Sequence, residues 1–310
     1  MTASNNLWRC AVPVATVWTS ASSSRDIDAP GIGNPVHLVK WLEALPYQER
    51  LDLCNANRVQ TQLLYGEEVI VDEIVDEWAK IVAIHQPSEK DHRGYPGWVP
   101  ITQLIESNGS ELKKYAIITA DKVQLWTEDE IPLLVLPFNT ILPLLDESLK
   151  YYHVDTPNGK AYLSKNGVEI TSSRATGNPT TMEQAVIKGT AFLDLPYFWG
   201  GMSSYGYDCS GFTYNMAKAS GIIIPRDAGE QKKAGQPIDK ENQDEWQVGD
   251  LLFFADDFGR GPVRHVGFYL GEGKMIHSPQ TGKTVEIISL ADTKFEVELC
   301  GVSRYQAKLG

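Results

Sequence analysis

The stretch Pro196-Tyr-Phe-Trp-Gly-Gly-Met-Ser-Ser-Tyr-Gly-Tyr-Asp-Cys-Ser-Gly-Phe212 decides how this chain is read, because it sets Cys209 between a glycine-rich loop and an amphipathic run. Phe212, Met216 and Ala219 recur at helical spacing and Gly221 stands where a helix would stop. The spacing therefore predicts a helix with Cys209 in its first turn and Asp208 as N-cap. A thiol there faces unpaired backbone N–H groups and the positive end of the helix dipole. Both favour thiolate, so the expectation is a nucleophile at neutral pH. A lone cysteine is by default a small buried hydrophobe, and support has to come from elsewhere in the chain.

It comes from His265-Val-Gly-Phe-Tyr-Leu-Gly-Glu-Gly-Lys-Met-Ile-His277, which alternates like two short strands around a glycine turn. A three-residue loop of Gly271, Glu272 and Gly273, with Gly273 at positive φ, pairs Leu270 with Lys274 and Gly267 with His277. His265 and His277 then share one face as diagonal neighbours, roughly 7–8 Å apart by backbone position. A two-residue loop would shift the register by one and put them on opposite faces.

The motifs Asp-Cys-Ser-Gly-Phe, His-Val-Gly-Phe-Tyr-Leu-Gly and Met-Ile-His-Ser, in that order within residues 180–305, resemble the NlpC family of bacterial cell-wall cysteine peptidases. The resemblance implies a circularly permuted papain-like domain, in which the cysteine heads a helix packed on a small antiparallel sheet that carries the histidines. Carried over, Cys209 is the nucleophile, His265 the general base and His277 the residue that orients it. The chemistry implied is acyl transfer: Cys209 attacks an amide carbonyl, His265 carries the proton to the leaving amine, and water releases the acyl-enzyme. The Cys209 backbone N–H is the natural oxyanion donor, with the Tyr197 side chain as a second candidate.

Members that join SH3-like barrels to this domain hydrolyse the bond between γ-D-glutamate and the following diamino acid, and require a free N-terminal L-alanine. The positions matching their pocket are Tyr95, Trp199, Asp208, Ser210 and Asp227, with Asp227 also explained as a helix N-cap. Glu67 or Glu68 is a further acid; the residues do not choose between them, and a solvated charge is the simpler reading. A buried Asp208 needs a partner, and a substrate ammonium would serve. On that basis N-acetylation of the alanine is expected to lower kcat/KM by on the order of a hundredfold, and the substrate is a released muropeptide. The competing readings are a peptidoglycan-binding or scaffolding protein, a secreted hydrolase of intact murein, and a related lipid acyltransferase. Whether lysine or diaminopimelate is preferred cannot be read from the residues.

Upstream, residues 8–19 suggest an opening strand, and Val36, Leu38, Val39, Leu42, Leu45, Leu51 and Leu53 have helical period, broken at Pro46. Strand character returns over residues 62–85, and Gly94-Tyr-Pro-Gly-Trp-Val-Pro100 reads as a closing aromatic turn. This resembles a bacterial SH3-like barrel with a helical insertion. Residues 115–120, 123–126, 140–145, 151–155 and 160–164 repeat the strand pattern. The expected architecture is α+β: an SH3-like barrel with a helical insertion over residues 1–108, a second barrel over 109–172, and the catalytic domain over 173–310. Two capping boxes are expected, Thr180 with Glu183 and Asp227 with Glu230.

A hydrophobic content of 42% and a charged content of 22% over 310 residues fit a folded protein of two or three domains. The net charge of −12 argues against nucleic acid and anionic membrane surfaces as partners. Cys10, Cys54, Cys209 and Cys300 show no zinc or disulfide spacing, and His37, His85, His92 and His153 no ligand spacing, so no metal or cofactor is expected. Arg264 reads as solvated, or as a contact for a substrate carboxylate. No signal-peptide pattern opens the sequence, and the apolar run 131–145 is broken by three prolines. A cytoplasmic monomer is the expectation, or a secreted protein had a signal been removed.

Overall fold

Alternating runs of β-branched and aromatic residues become antiparallel strands along the first part of the chain. In a computed structural model, which describes residues 7–107, 109 and 112–306, two units are distinguished. The first takes the chain up to His85, then Lys90–Ala175 and Met202–Tyr205; the second takes Gln86–Glu89, Thr176–Gly201 and the chain from Gly206 onward.

The first unit contains two seven-stranded, SH3-like β domains among the described residues. One has the order Val59–Leu64, Val14–Trp18, Tyr95–Pro100, Trp78–Ala83, Glu68–Val75, Leu7–Cys10, Leu104–Glu106. Its core gathers Val17, Leu63, Val69, Ile81, Tyr95 and Val99. The helical insertion lies between the strands Val14–Trp18 and Val59–Leu64, with helices at Leu38–Ala44 and Tyr47–Asn55 either side of Leu45 and Pro46. Buried Trp41 anchors it: the indole packs 6.0 Å from Trp18 and donates to Asp28 Oδ1 at 3.0 Å. Residues 95–100, expected as a turn, form a strand whose inward positions alternate.

The second β domain has the order Pro132–Pro137, Lys122–Trp126, Gly159–Ser164, Tyr151–Thr156, Ile141–Glu147, Tyr115–Ile118, Val168–Thr171. The proline-rich run 131–145 hid one of these strands. Pro132–Pro137 is the edge strand with a register shift inside it, the position where a sheet tolerates proline. Tyr65 directly follows the first domain's strand Val59–Leu64, yet its ring sits in the second domain's core and its OH accepts from Asn158 Nδ2 at 3.1 Å.

The second unit builds a six-stranded antiparallel sheet in the order Gln236–Ile238, Leu299–Arg304, Leu251–Ala255, Val263–Gly271, Lys274–His277, Glu286–Ser289. Leu251–Ala255 is buried at every position, as a central strand covered on both faces should be. The helix Cys209–Ala219 packs on the neighbouring strands Val263–Gly271 and Lys274–His277 and is itself covered by Met182–Thr190. Gly189 permits that close approach: a Cβ there would lie 2.8 Å from the Phe212 ring. The N-cap of Met182–Thr190 is Thr181, whose hydroxyl accepts from Gln184 N at 3.2 Å, one residue later than the expected box. The other expected box does not form. Asp227 is the N-cap of Ala228–Ala234 without a side-chain cap bond, and Glu230 accepts instead from Glu89 N at 3.0 Å and Ser88 Oγ at 3.3 Å.

Candidate active site

Cys209 opens its helix as the spacing predicts, half-buried, with Asp208 as N-cap accepting from Gly211 N at 2.6 Å. What surrounds Asp208 was not legible. Arg226, 1% exposed, donates to both carboxylate oxygens, at 2.6 Å from Nη2 and 3.2 Å from Nη1, and its Nη1 also donates to Ser210 Oγ at 2.9 Å. Arg226 N in turn donates to Pro87 O at 3.0 Å. Asp208 is therefore satisfied by a buried guanidinium, and a substrate ammonium is not needed to explain its burial. In sequence Arg226 stands in Pro-Arg-Asp-Ala, outside any periodic run, and reads as an ordinary surface arginine.

The thiol corrects a second expectation. Burial pushes Cys209 up to about 12, and the Asp208 carboxylate adds to the rise; backbone hydrogen bonds from Val266 and Ser210 and the Arg226 charge oppose it. One N–H group at the helix start and one on the neighbouring strand do not outweigh desolvation beside a carboxylate. Burial thus favours the neutral thiol. The helix that carries the sulfur lies against Val263–Gly271, the strand that carries His265.

The imidazoles sit on the strands Val263–Gly271 and Lys274–His277. The loop between them is two residues, with Glu272 at φ 51 and Gly273 at φ 68. A two-residue loop alone would have separated the histidines. A register shift at Leu270–Gly271, with Gly271 at φ 94, absorbs the extra residue and restores the pairing Tyr269↔Met275 and Phe268↔Ile276. His265 and His277 consequently share a face and join through His265 Nε2 and His277 Nδ1 at 2.7 Å. Phe295 covers both rings, at centroid distances of 5.5 Å and 5.3 Å, and Phe254 lies 5.9 Å from His265. Burial, then His277, Arg264 and Lys294, hold His265 well below the usual histidine value. Burial and Lys294 lower His277 to about 3. Ser278 Oγ donates to Tyr207 O at 2.8 Å, tying the end of the histidine strand to the residue before Asp208.

Of the other expected residues, Ser210 joins the Asp208–Arg226 network, Asp227 is half-buried at its helix start, and Trp199 is half-buried in the glycine-rich loop. Tyr197, 7% exposed, bridges to Tyr207 through its backbone. Tyr95 belongs to the first unit, where its ring is buried, its OH donates to Gln60 Oε1 at 3.4 Å and it bonds Lys90 Nζ. Glu67 and Glu68 are both engaged locally, Glu67 by Leu64 N at 2.9 Å and Glu68 by Arg174 at 3.3 Å. Arg264 is neither solvated nor free for a substrate: it pairs with Asp256 at 2.5 Å and with Glu298. The four cysteines are unpaired. No described helix is long and apolar enough to cross a membrane.

A thiol at a helix start, next to a strand whose imidazole is backed by a second one, is the geometry of a cysteine hydrolase. A sequence profile described as the NlpC/P60 family matches residues 194–304, and one described as the YKFC SH3b2 domain matches residues 118–170. The chain is 41% identical to a γ-D-glutamyl-L-lysine dipeptidyl-peptidase of Bacillus subtilis over 292 residues, 94% of this chain and 96% of that one. It is 41% identical to a protein of the same name from Bacillus cereus over 95% and 89% of the two chains. A crystal structure of an NlpC/P60 family protein from Bacillus cereus superposes with a TM-score of 0.91 at 40% identity, covering 96% of this chain and 99% of that one. A murein DD-endopeptidase of Escherichia coli is 42% identical over only 36% of this chain and 41% of its own. The chain belongs to the NlpC/P60 family of cysteine peptidases.

Proposed function

We propose that this protein hydrolyses the bond between γ-D-glutamate and the following L-diamino acid in peptidoglycan stem peptides that begin with a free L-alanine. Cys209 attacks the γ-glutamyl carbonyl while His265 accepts the thiol proton and then delivers it to the leaving amine. His277 holds His265 in place, and water releases L-Ala-γ-D-Glu from the sulfur. Because thiol and imidazole are both neutral at rest, the proton moves as the sulfur attacks. The Cys209 backbone N–H faces the developing oxyanion. Trp199, Asp208, Ser210 and Asp227 are substrate-binding residues in this reading, as is Tyr95 of the first β domain, and residues 1–108, 109–172 and 173–310 are its two barrels and its peptidase domain.

The observation that carries this reading is the extent of the likeness. The dipeptidyl-peptidases match along the β domains as well as the peptidase domain, whereas the murein endopeptidase matches over little more than a third of the chain. The test is incubation with L-Ala-γ-D-Glu-L-Lys and its meso-diaminopimelate counterpart, with L-Ala-γ-D-Glu followed by mass spectrometry. Cys209→Ala is expected to lose at least about a thousandfold in rate. Undiminished activity in that variant overturns the nucleophile assignment, and equal cleavage of N-acetylated peptide overturns the requirement for a free amine.

A further inference from the structure

The two histidines leave one ring nitrogen unexplained. His277 is fully buried, its Nδ1 faces His265, and its Nε2 has no hydrogen bond among the described residues. Glu286 stands opposite it in the register, on the strand Glu286–Ser289, and places Oε1 3.5 Å from that nitrogen. We infer that Glu286 is a positioning residue for the reaction, the outermost member of a chain that runs Cys209, His265, His277, Glu286. The inference rests on the roles proposed above for Cys209, His265 and His277.

The proton inventory leads there. His265 Nε2 is engaged by His277, so the nitrogen left to take the thiol proton is Nδ1. To accept at Nδ1, a neutral His265 carries its hydrogen on Nε2 and donates it to His277 Nδ1. His277 must then be an acceptor at Nδ1, which puts its own hydrogen on Nε2, aimed at Glu286. Which nitrogen of a histidine is protonated is set by what the other nitrogen meets. A carboxylate is an acceptor only, so Glu286 selects the one tautomer of His277 that keeps His265 a base. When His265 becomes an imidazolium, the negative charge two links away also stabilises it. The opposing charges around the pair are Lys294 and, beside His265, Arg264, which is itself paired with Asp256 and Glu298. Glu286 is the carboxylate that faces His277 directly. Its side chain is 37% exposed at the sheet edge.

The test is the pH dependence of kcat/KM for L-Ala-γ-D-Glu-L-Lys with wild type, Glu286→Gln and Glu286→Ala, alongside thermal unfolding of each. Removing the carboxylate withdraws stabilisation from the imidazolium. That lowers kcat by about tenfold in Glu286→Ala, the lower end of what loss of a histidine's outer partner does at metal sites, with Glu286→Gln retaining more because its amide oxygen still accepts. The same loss lowers the apparent basicity of the histidine pair, so the acid limb moves to lower pH by about half a unit. A structural role would reduce activity without moving that limb. In addition, the imidazole 15N resonances of resting wild type at pH 7.5 should show His277 protonated at Nε2. An unmoved acid limb, or His277 protonated at Nδ1, overturns the inference while leaving the peptidase reading intact. Wild type that cleaves no γ-D-glutamyl peptide overturns both.

Discussion

The two halves of the site solve the same problem in opposite ways. On the nucleophile's side a carboxylate is paired in the interior with a guanidinium that is itself buried, with Ser210 and a backbone N–H completing the shell. On the imidazole side the protein keeps its groups neutral, packing His265 and His277 under Phe295 and Phe254 so that neither takes a proton in the ordinary range. A buried charge is tolerable when fully paired, and a titratable group is tolerable when it discharges. The first arrangement depends on each partner being present; the second depends on water being kept out. Function profits from the difference, because a rigid ionic shell sets where the thiol sits while an uncharged base remains free to accept its proton.

The sharpest way to break this comparison is to remove the buried cation. Arg226→Met leaves Asp208 unpaired with about 9% of its side chain exposed, and the expected loss is about 3–5 kcal/mol in urea unfolding. Activity should fall with it, because Asp208 caps the helix that carries the thiol. The double variant Arg226→Met with Asp208→Asn should recover most of the stability, since nothing charged is then stranded. A loss below about 1 kcal/mol in the single variant would mean that Asp208 reaches solvent, and that the two halves are not built on different principles.

Legibility in the sequence follows the same divide. The histidine pair could be placed because a β-hairpin has a strict period of two, and its glycines restrict the register to two choices. The choice was right although the loop was wrong: a two-residue turn plus the shift at Leu270–Gly271 gives the same facing as the three-residue loop. The Cys209 helix was legible through Phe212, Met216, Asp208 and Gly221. Arg226 and Glu286 were not, because neither belongs to a pattern of its own; one follows Pro225 in a connecting segment and the other sits on an edge strand with a mixed face. The direction of the thiol shift was also misread, since a helix start is visible in a sequence and the depth of burial around a sulfur is not. Proline likewise concealed the strand Pro132–Pro137, which only its edge position allows.

A smaller effect tests the neutral half. Both imidazoles have folded values below the unfolded one, so the unfolded chain binds more protons as the pH drops. Stability from keeping them neutral is fully present above about pH 6.5 and is lost as the pH falls from there toward the folded values, about 3 for His277. Each imidazole contributes a slope of about 1.4 kcal/mol per pH unit in that window. His277→Asn should therefore flatten the decline in unfolding free energy between pH 6 and pH 4 by about that amount per unit relative to wild type. Identical slopes would show that His277 is protonated in the folded protein.

The smallest effect separates burial from neighbouring charge as the cause of that neutrality. Phe295 is 8% exposed and lies against both imidazoles, and the Lys294 ammonium stands 5.3 Å from its ring. Phe295→Leu keeps the site apolar but removes part of the cover, letting water closer to the rings while leaving the charges of Lys294 and Arg264 in place. Easing desolvation raises the affinity of a histidine for its proton, so the base is lost at a higher pH and the acid limb of kcat/KM moves up, by about half a unit. The direction is opposite to that expected for loss of the Glu286 carboxylate, so the two variants form a matched pair that no general loosening of the fold would reproduce. If the limb stays put in Phe295→Leu and rises instead in Lys294→Gln, the imidazoles are held neutral by repulsion, and the imidazole side, like the nucleophile's, is governed by a nearby cation.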